Sequence, residues 1–339
     1  MGGPMRWDKA ERVETLNPSM AQERAEDGQL ALLPFDEAIR REAARCKRCG
    51  TPLCQAGGCV LGNLIPEFLD SVSRARWEEA SRTLHSTNNF PEFTGRLCCC
   101  PCESACVQGR EGKPVSIRQV ECHVAERAFA EGWIRPLPPA RRTGRKVAVV
   151  GSGPAGLTAA QQLARAGHEV VVFDKNDRAG ELWRRGAAGC ELDPYLMERR
   201  LRQLAAEGVK FMLGLVVGLD IAGRYLRRTC DAICLTFGTQ GPADAALAST
   251  SDGSPCMWDR HFAGDLDLIV QLGLQLDDRG NLSVRDCLTS QSNVFAVDEV
   301  GPDLSLVALA IRNGRNAATV IDRWLQDRDG TREPRRSLE

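Results

Sequence analysis

The chain has 339 residues, enough for about two domains at ~150 residues each. Its 44 basic and 45 acidic residues leave a formal net charge of −1, which excludes the electrostatic field of a nucleic-acid or anionic-membrane binder. A hydrophobic share of 43% excludes a wholly disordered chain, and no apolar run reaches the ~20 residues of a membrane span.

Residues 1–34 are polar and irregular and read as a surface arm. They hold no apolar stretch of the kind a secretory signal needs, so a cytoplasmic location is expected. The next segment, through residue 140, is dominated by cysteine: ten of the chain's 15 lie between Cys46 and Cys122. In a reducing compartment such density reads as metal or redox ligands before disulfides. Three helices are predicted around these thiols. One runs from Phe35 to Ala44 with Asp36 as its cap, one from Pro66 to Leu84, and one from Ser116 to Phe129. Pro136 to Arg145 is rich in Pro and Arg and reads as a linker.

A β-α-β pattern follows. Lys146–Val150 is a continuous apolar run, as in a strand buried on both faces. Leu157–Ala166 is a helix closed by Gly167, and Glu169–Phe173 is a second strand. Asp231–Thr236 and Asn293–Val297 read as two further parallel strands. Gly241–Ser254 reads as loop, and Leu306–Leu325 as a long helix. The predicted fold class is α/β, with an α-helical N-terminal domain over 35–140 and a Rossmann-like domain with a parallel sheet over 141–330.

Between the first strand and helix stands Gly151-Ser152-Gly153-Pro154-Ala155-Gly156, a G-x-G-x-x-G loop. Gly151 makes the tight turn, Gly153 admits a pyrophosphate to the backbone, and Gly156 lets helix and strand approach. The helix N-terminus supplies the positive end of its dipole. Asp174 follows the second strand, 23 positions after Gly151, where a carboxylate receives ribose hydroxyls.

The cysteines fall into two runs, Cys46-x2-Cys49-x4-Cys54-x4-Cys59 and Cys98-x3-Cys102-x3-Cys106, with Cys99 and Cys100 inside the second. Seven spaced thiols suit two four-iron clusters with one ligand that is not cysteine. Structural zinc is the alternative, although it usually takes paired C-x2-C knuckles. Cys122 and the five cysteines from Cys190 to Cys287 read as small buried apolar residues. His85, His123, His168 and His261 are isolated in sequence, and no residue reads as a catalytic acid or base.

Several blocks together resemble one family, the small subunit of glutamate synthase with the matching N-terminal half of dihydropyrimidine dehydrogenase. They are Arg45-Cys46-x2-Cys49, Gly62-Asn63-Leu64-Ile65-Pro66-Glu67, Thr87-Asn88-Asn89-Phe90-Pro91-Glu92, Gly95-Arg96-Leu97-Cys98 and Pro101-Cys102-Glu103-Ser104-Ala105-Cys106. The resemblance implies two interleaved [4Fe-4S] clusters. One is held by Cys46, Cys49, Cys54 and Cys106, the other by Cys59, Cys98, Cys102 and Glu121. On sequence alone Glu121 would pass as a solvated helix residue. The resemblance also implies FAD on the second domain, near Gly180, Leu182, Gly238, Glu299, Ser305 and Leu306. Glu181 and the pair Asp298-Glu299 depart from the family pattern around that flavin.

Such relatives carry a second dinucleotide domain, for NADPH, before the C-terminal flavin motif. Here only residues 239–292 stand in its place, with no second glycine loop. The expected role is an electron-transfer subunit that passes electrons between FAD, the two clusters and a partner. That partner would be a larger catalytic oxidoreductase subunit or a ferredoxin-like carrier. A stand-alone NAD(P)H-dependent oxidoreductase and a non-catalytic scaffold are the alternatives.

Overall fold

In the computed structural model, residues 33–180, 192–236, 267–278, 282–297 and 307–328 are described. The chain divides into two compact units, one up to Arg135 and the other covering Pro136–Leu304 and Leu309 onward.

The first unit is helical. Its helices are α1 (Leu33–Ala44), α2 (Leu53–Ala56), α3 (Ile65–Ser73), α4 (Trp77–Thr87), α5 (Pro91–Leu97), α6 (Pro101–Ser104), α7 (Gln108–Glu111) and α8 (Ile117–Ala130). Two expectations are corrected here. Asp36 does not cap α1, because the helix starts three residues earlier and places it in the first turn. Its carboxylate instead reaches α8, where Oδ1 lies 2.7 Å from His123 Nε2 and Oδ2 pairs with Arg127. The helix expected over Pro66–Leu84 is two helices. Ala75 adopts a left-handed φ of +58°, which ends α3 and lets α4 fold back against it. The amphipathic period continues through the break, so periodicity alone gave no sign of it.

The core of this unit joins Ile39, Phe68, Leu69, Val72, Leu84, Val120 and Val124. Cys100 and Cys102 belong to the same core, and Cys46, Cys54, Cys59, Cys98 and Cys106 pack against it. The hydrophobic helices thus form a wall behind the thiols.

The second unit is a five-stranded parallel sheet flanked by helices. Its strands are β1 (Lys146–Val150), β2 (Glu169–Phe173), β3 (Lys210–Met212), β4 (Ala232–Leu235) and β5 (Val294–Ala296), in the order β3-β2-β1-β4-β5. Val147 pairs with Val170 on one side and Ala232 on the other. Helix α9 (Pro154–Arg165) crosses from β1 to β2, α10 (Pro194–Ala206) precedes β3, and α11 (Gly223–Thr229) precedes β4. The long helix α12 spans Val307–Arg328. Strand order reverses between β1 and β4, and the carboxyl ends of strands at such a switch point frame a ligand crevice. Among the described residues no helix is long and apolar enough to cross a membrane.

Candidate cluster and dinucleotide sites

The first cysteine group forms around the end of α1. Cys46 follows that helix directly, with its N–H donating to Ala43 O at 3.1 Å. Arg48 turns the chain with a left-handed φ of +47°, and α2 then presents Cys54. From the second run, Cys106 closes the turn after α6. Cys46, Cys49, Cys54 and Cys106 line one small pocket together with Lys47, Pro66 and Gln108. The two runs interlock at Gly58. A Cβ there would stand 2.8 Å from Cys102 Cα and 2.8 Å from Cys54 O, so only glycine allows this approach.

The second group forms around a buried carboxylate. Glu121 on α8 is only 6% exposed, unlike the solvated position that its helix pattern alone would suggest. Three donors converge on its Oε1: Asn63 Nδ2 at 3.0 Å, Asn88 Nδ2 at 2.7 Å and Thr94 Oγ1 at 3.0 Å. Thr87 fixes the Asn63 amide by donating to its Oδ1 at 2.8 Å. Burial pushes the Glu121 carboxyl up to about 8, and the neighbouring Cys98 sulfur adds to the rise against the three donors. Cys59 is pushed up to about 11, first by burial and then, among its neighbours' charges, by Glu121 and Cys102. Cys59, Cys98, Cys102 and Glu121 therefore feel one another electrostatically.

The thiols of the first group behave alike. Burial pushes Cys54 up to about 12, and Cys106 and Cys46 reinforce it. Cys46 is also raised, by burial above all. Crowded sulfurs that resist ionisation form a donor set for strongly positive iron, which stabilises several thiolates at once. Among the described residues, no group of three or more His, Cys, Asp or Glu closes tightly enough to hold a single ion. Cys98 shifts the opposite way, down to about 6, because Cys100 hydrogen-bonds to its sulfur more strongly than burial opposes.

The dinucleotide loop sits at the switch point. Gly151 has a φ of +110°, and a Cβ there would collide with Thr236 Oγ1. Gly156 is equally confined, since its Cβ would run into Gly151 O. Thr236 locks this corner, donating from both N and Oγ1 to Val150 O at 2.9 Å. No sequence motif singled out Thr236, although its place at the end of a predicted strand was legible. Gly153 precedes α9 in an extended conformation, brings no side-chain cap to the first turn, and is followed by Pro154 at the first helical position. Pro154, Ala155 and Gly156 are all buried. A helix start of this kind fits an anionic pyrophosphate.

Asp174 lies where the sequence placed it, but its acceptors are engaged. Oδ2 takes the Ser152 N–H at 2.7 Å and the Ser152 hydroxyl, and Oδ1 takes Asn176 N and Nδ2, each at 2.9 Å. A ribose hydroxyl would have to replace one of these donors. Ser152 Oγ also accepts the Gly180 N–H at 2.9 Å, which ties this loop to the glycine loop. Gly180 has a φ of +73°, and a Cβ there would stand 2.6 Å from Met197 Sδ. Leu182, Gly238, Glu299, Ser305 and Leu306 lie outside the described residues, as do Glu181 and Asp298.

The remaining expected residues are ordinary. His123 and His168 are buried beside Asp36 and Asp322. Cys234 is buried, while Cys122, Cys230 and Cys287 are only partly so, and Cys190 and Cys256 lie outside the described residues.

Fold and site define a class: a cysteine-lined helical unit of iron–sulfur type, followed by a dinucleotide-binding Rossmann unit. Residues 27–133 match the family described as dihydropyrimidine dehydrogenase domain II, 4Fe-4S cluster, and residues 149–195 match an NAD(P)-binding Rossmann-like domain. The glutamate synthase [NADPH] small chain of Mycobacterium tuberculosis is 53% identical over 205 residues, covering 60% of this chain and 42% of that one. The one from Bacillus subtilis is 46% identical over 223 residues, covering 63% and 45%. Over these residues the chain is similar to glutamate synthase small chains. The match spans under half the length of those relatives. Among solved structures, thioredoxin reductase from Lactococcus lactis is 14% identical, with 54% of this chain and 100% of that one covered at a TM-score of 0.32.

Proposed function

We propose that the chain is an electron-transfer component of an oxidoreductase, with two [4Fe-4S] clusters in its helical unit and FAD on its Rossmann unit. Its partner is a larger catalytic subunit or a ferredoxin-like carrier. The observation that carries this reading is the sorting of the cysteines into two groups, one lining a cavity and the other facing a buried carboxylate. When bound, these groups supply single-electron transfer from the clusters and one- or two-electron exchange from the flavin.

Cys46, Cys49, Cys54 and Cys106 would hold one cluster. Cys59, Cys98, Cys102 and Glu121 would hold the other, with Asn63, Asn88 and Thr94 keeping the carboxylate aimed. On the Rossmann unit, Gly151, Gly153 and the first turn of α9 would take the pyrophosphate, and Gly180 and Asp174 would border the adenosine side. We divide the chain functionally into a cluster domain over 35–140 and a flavin domain over 141–330. Residues 239–292 replace the NADPH domain, and the free thiols suit the cytoplasm.

Anaerobically purified protein is expected to contain flavin and enough iron and sulfide for two cubes per chain. Neither flavin nor iron on absorption and metal analysis would refute the reading. Because the NADPH domain is replaced, stopped-flow mixing of the chain alone with NADPH or NADH should leave the flavin oxidised. Rapid bleaching would favour direct nicotinamide use.

A further inference from the structure

The G-x-G-x-x-G pattern fixes three glycines and leaves position 152 open, so the motif assigns Ser152 no task. In the fold it is 2% exposed, in the turn between β1 and α9. Its hydroxyl donates to Asp174 Oδ2, and its Oγ accepts the Gly180 N–H at 2.9 Å. A hydroxyl carries one proton and a carboxylate accepts, so the chain of bonds runs from Gly180 through Ser152 to Asp174.

The Asp174 carboxylate divides its oxygens between two segments. Oδ2 takes both donors of Ser152, the N–H at 2.7 Å and the hydroxyl. Oδ1 takes both donors of Asn176, N and Nδ2, each at 2.9 Å. The backbone here is held from the far side, where Leu215 N–H donates to Asp174 O at 3.1 Å and Gly214 N–H to Asn176 O at 2.9 Å. Gly180 is held differently: its buried N–H ends on the Ser152 hydroxyl. One side chain thus joins the glycine loop, the carboxylate and the Gly180 segment.

A ribose hydroxyl needs one acceptor site on Asp174, and two side-chain donors stand in its way. The Asn176 amide belongs to a half-buried residue, and its backbone N–H still holds Oδ1 if the amide leaves. The Ser152 hydroxyl is buried, and the link to Gly180 is lost with it. The amide is therefore the donor that yields, and the hydroxyl the one that stays.

We propose that Ser152 is a positioning residue for the adenosine end of FAD, whose hydroxyl presets the Asp174 carboxylate and the Gly180 segment for the ribose and pyrophosphate. This rests on the flavin reading above. A site ordered before its ligand arrives spares the cost of ordering it on binding.

The test is a fluorescence titration of FAD into the deflavinated, iron-loaded full chain, with hydrogen exchange of residues 174–180 followed on the same protein. Ser152→Ala keeps the backbone N–H on Oδ2 and removes only the hydroxyl. It should weaken FAD binding about tenfold, roughly the worth of one hydrogen bond to a charged group. Exchange should quicken in 174–180 and stay unchanged in β1 and β2. Ser152→Thr, which keeps a hydroxyl, should recover most of the affinity. Asn176→Ala, which removes the donor that yields, should bind FAD at least as well as wild type. Affinity unchanged in Ser152→Ala would overturn the proposal. Tighter binding there would overturn it too, by making the hydroxyl a competitor of the ribose. So would a threonine variant as weak as alanine, an Asn176→Ala variant as weak as Ser152→Ala, or exchange quickened equally in β1 and β2. Wild-type chain that binds no FAD would instead sink the flavin reading itself.

Discussion

At the scale of single residues, Glu121 shows how context decides chemistry. A glutamate on an amphipathic helix normally points to water, and the pattern around it gave no reason to think otherwise. What buries it is a set of residues far away in sequence: Asn63 before α3, Asn88 after α4 and Thr94 in α5. Their motifs were legible as blocks, yet nothing in them revealed that they share one oxygen. Glu121→Ala would leave three buried donors without their acceptor. Asn88 still reaches Thr94 Oγ1 and Thr94 still reaches Pro91 O, so at about 1–3 kcal/mol for each unsatisfied group the loss should be about 1–3 kcal/mol and lower the unfolding midpoint of the protein by several degrees. Glu121→Gln keeps the volume and the Oε1 acceptor, so it should stay within about 1 kcal/mol of wild type. Metal analysis adds the ligation readout: the alanine variant should lose one cluster's iron.

At the scale of elements, strands and helices were more legible than their ends. The buried parallel strands announced themselves as unbroken apolar runs, and β1, β2, β4 and β5 all lie inside the expected segments. The three-residue β3 and the break at Ala75 carried no comparable signal, since one is too short for a period and the other is a matter of backbone angle. Close helix packing was equally hidden. Gly314 in α12 faces α9 so closely that a Cβ would run into Ala155 O and stand 2.9 Å from Thr158 Cβ. Ala155 is the residue just before Gly156 in the dinucleotide loop, so this crossing braces the start of α9. Gly314→Val should force the helices apart and cost about 1–3 kcal/mol, as overpacking does elsewhere. The helix interior would itself favour a residue other than glycine by ~0.5–1 kcal/mol, so a stabilised variant in denaturant titrations would contradict this crossing. A lower flavin content in the folded variant is the expected functional consequence.

At the scale of the whole molecule, the two units should depend on the proposed cofactors unequally. The Rossmann unit has a continuous apolar core of its own, from Ala148 and Ile233 through Leu268 to Val294. In the helical unit, the hydrophobic core ends in a layer of sulfur: Cys100 and Cys102 within it, and Cys46, Cys54, Cys59, Cys98 and Cys106 against it. Without iron these thiols crowd one another and resist ionisation. The loops that carry them, 45–64 and 98–116, contain only the single-turn helices α2, α6 and α7. Metal binding to a site that does not persist unfolded appears directly as folding free energy. Removing iron with a chelator should therefore open the cysteine loops first. Limited proteolysis of the iron-free chain is expected to cut within residues 46–116 while a fragment beginning near β1 resists. Reconstitution with iron and sulfide under anaerobic conditions should restore protection of those loops. Equal resistance of the loops with and without iron would mean that the helical wall alone holds them, and that the clusters occupy a site already built.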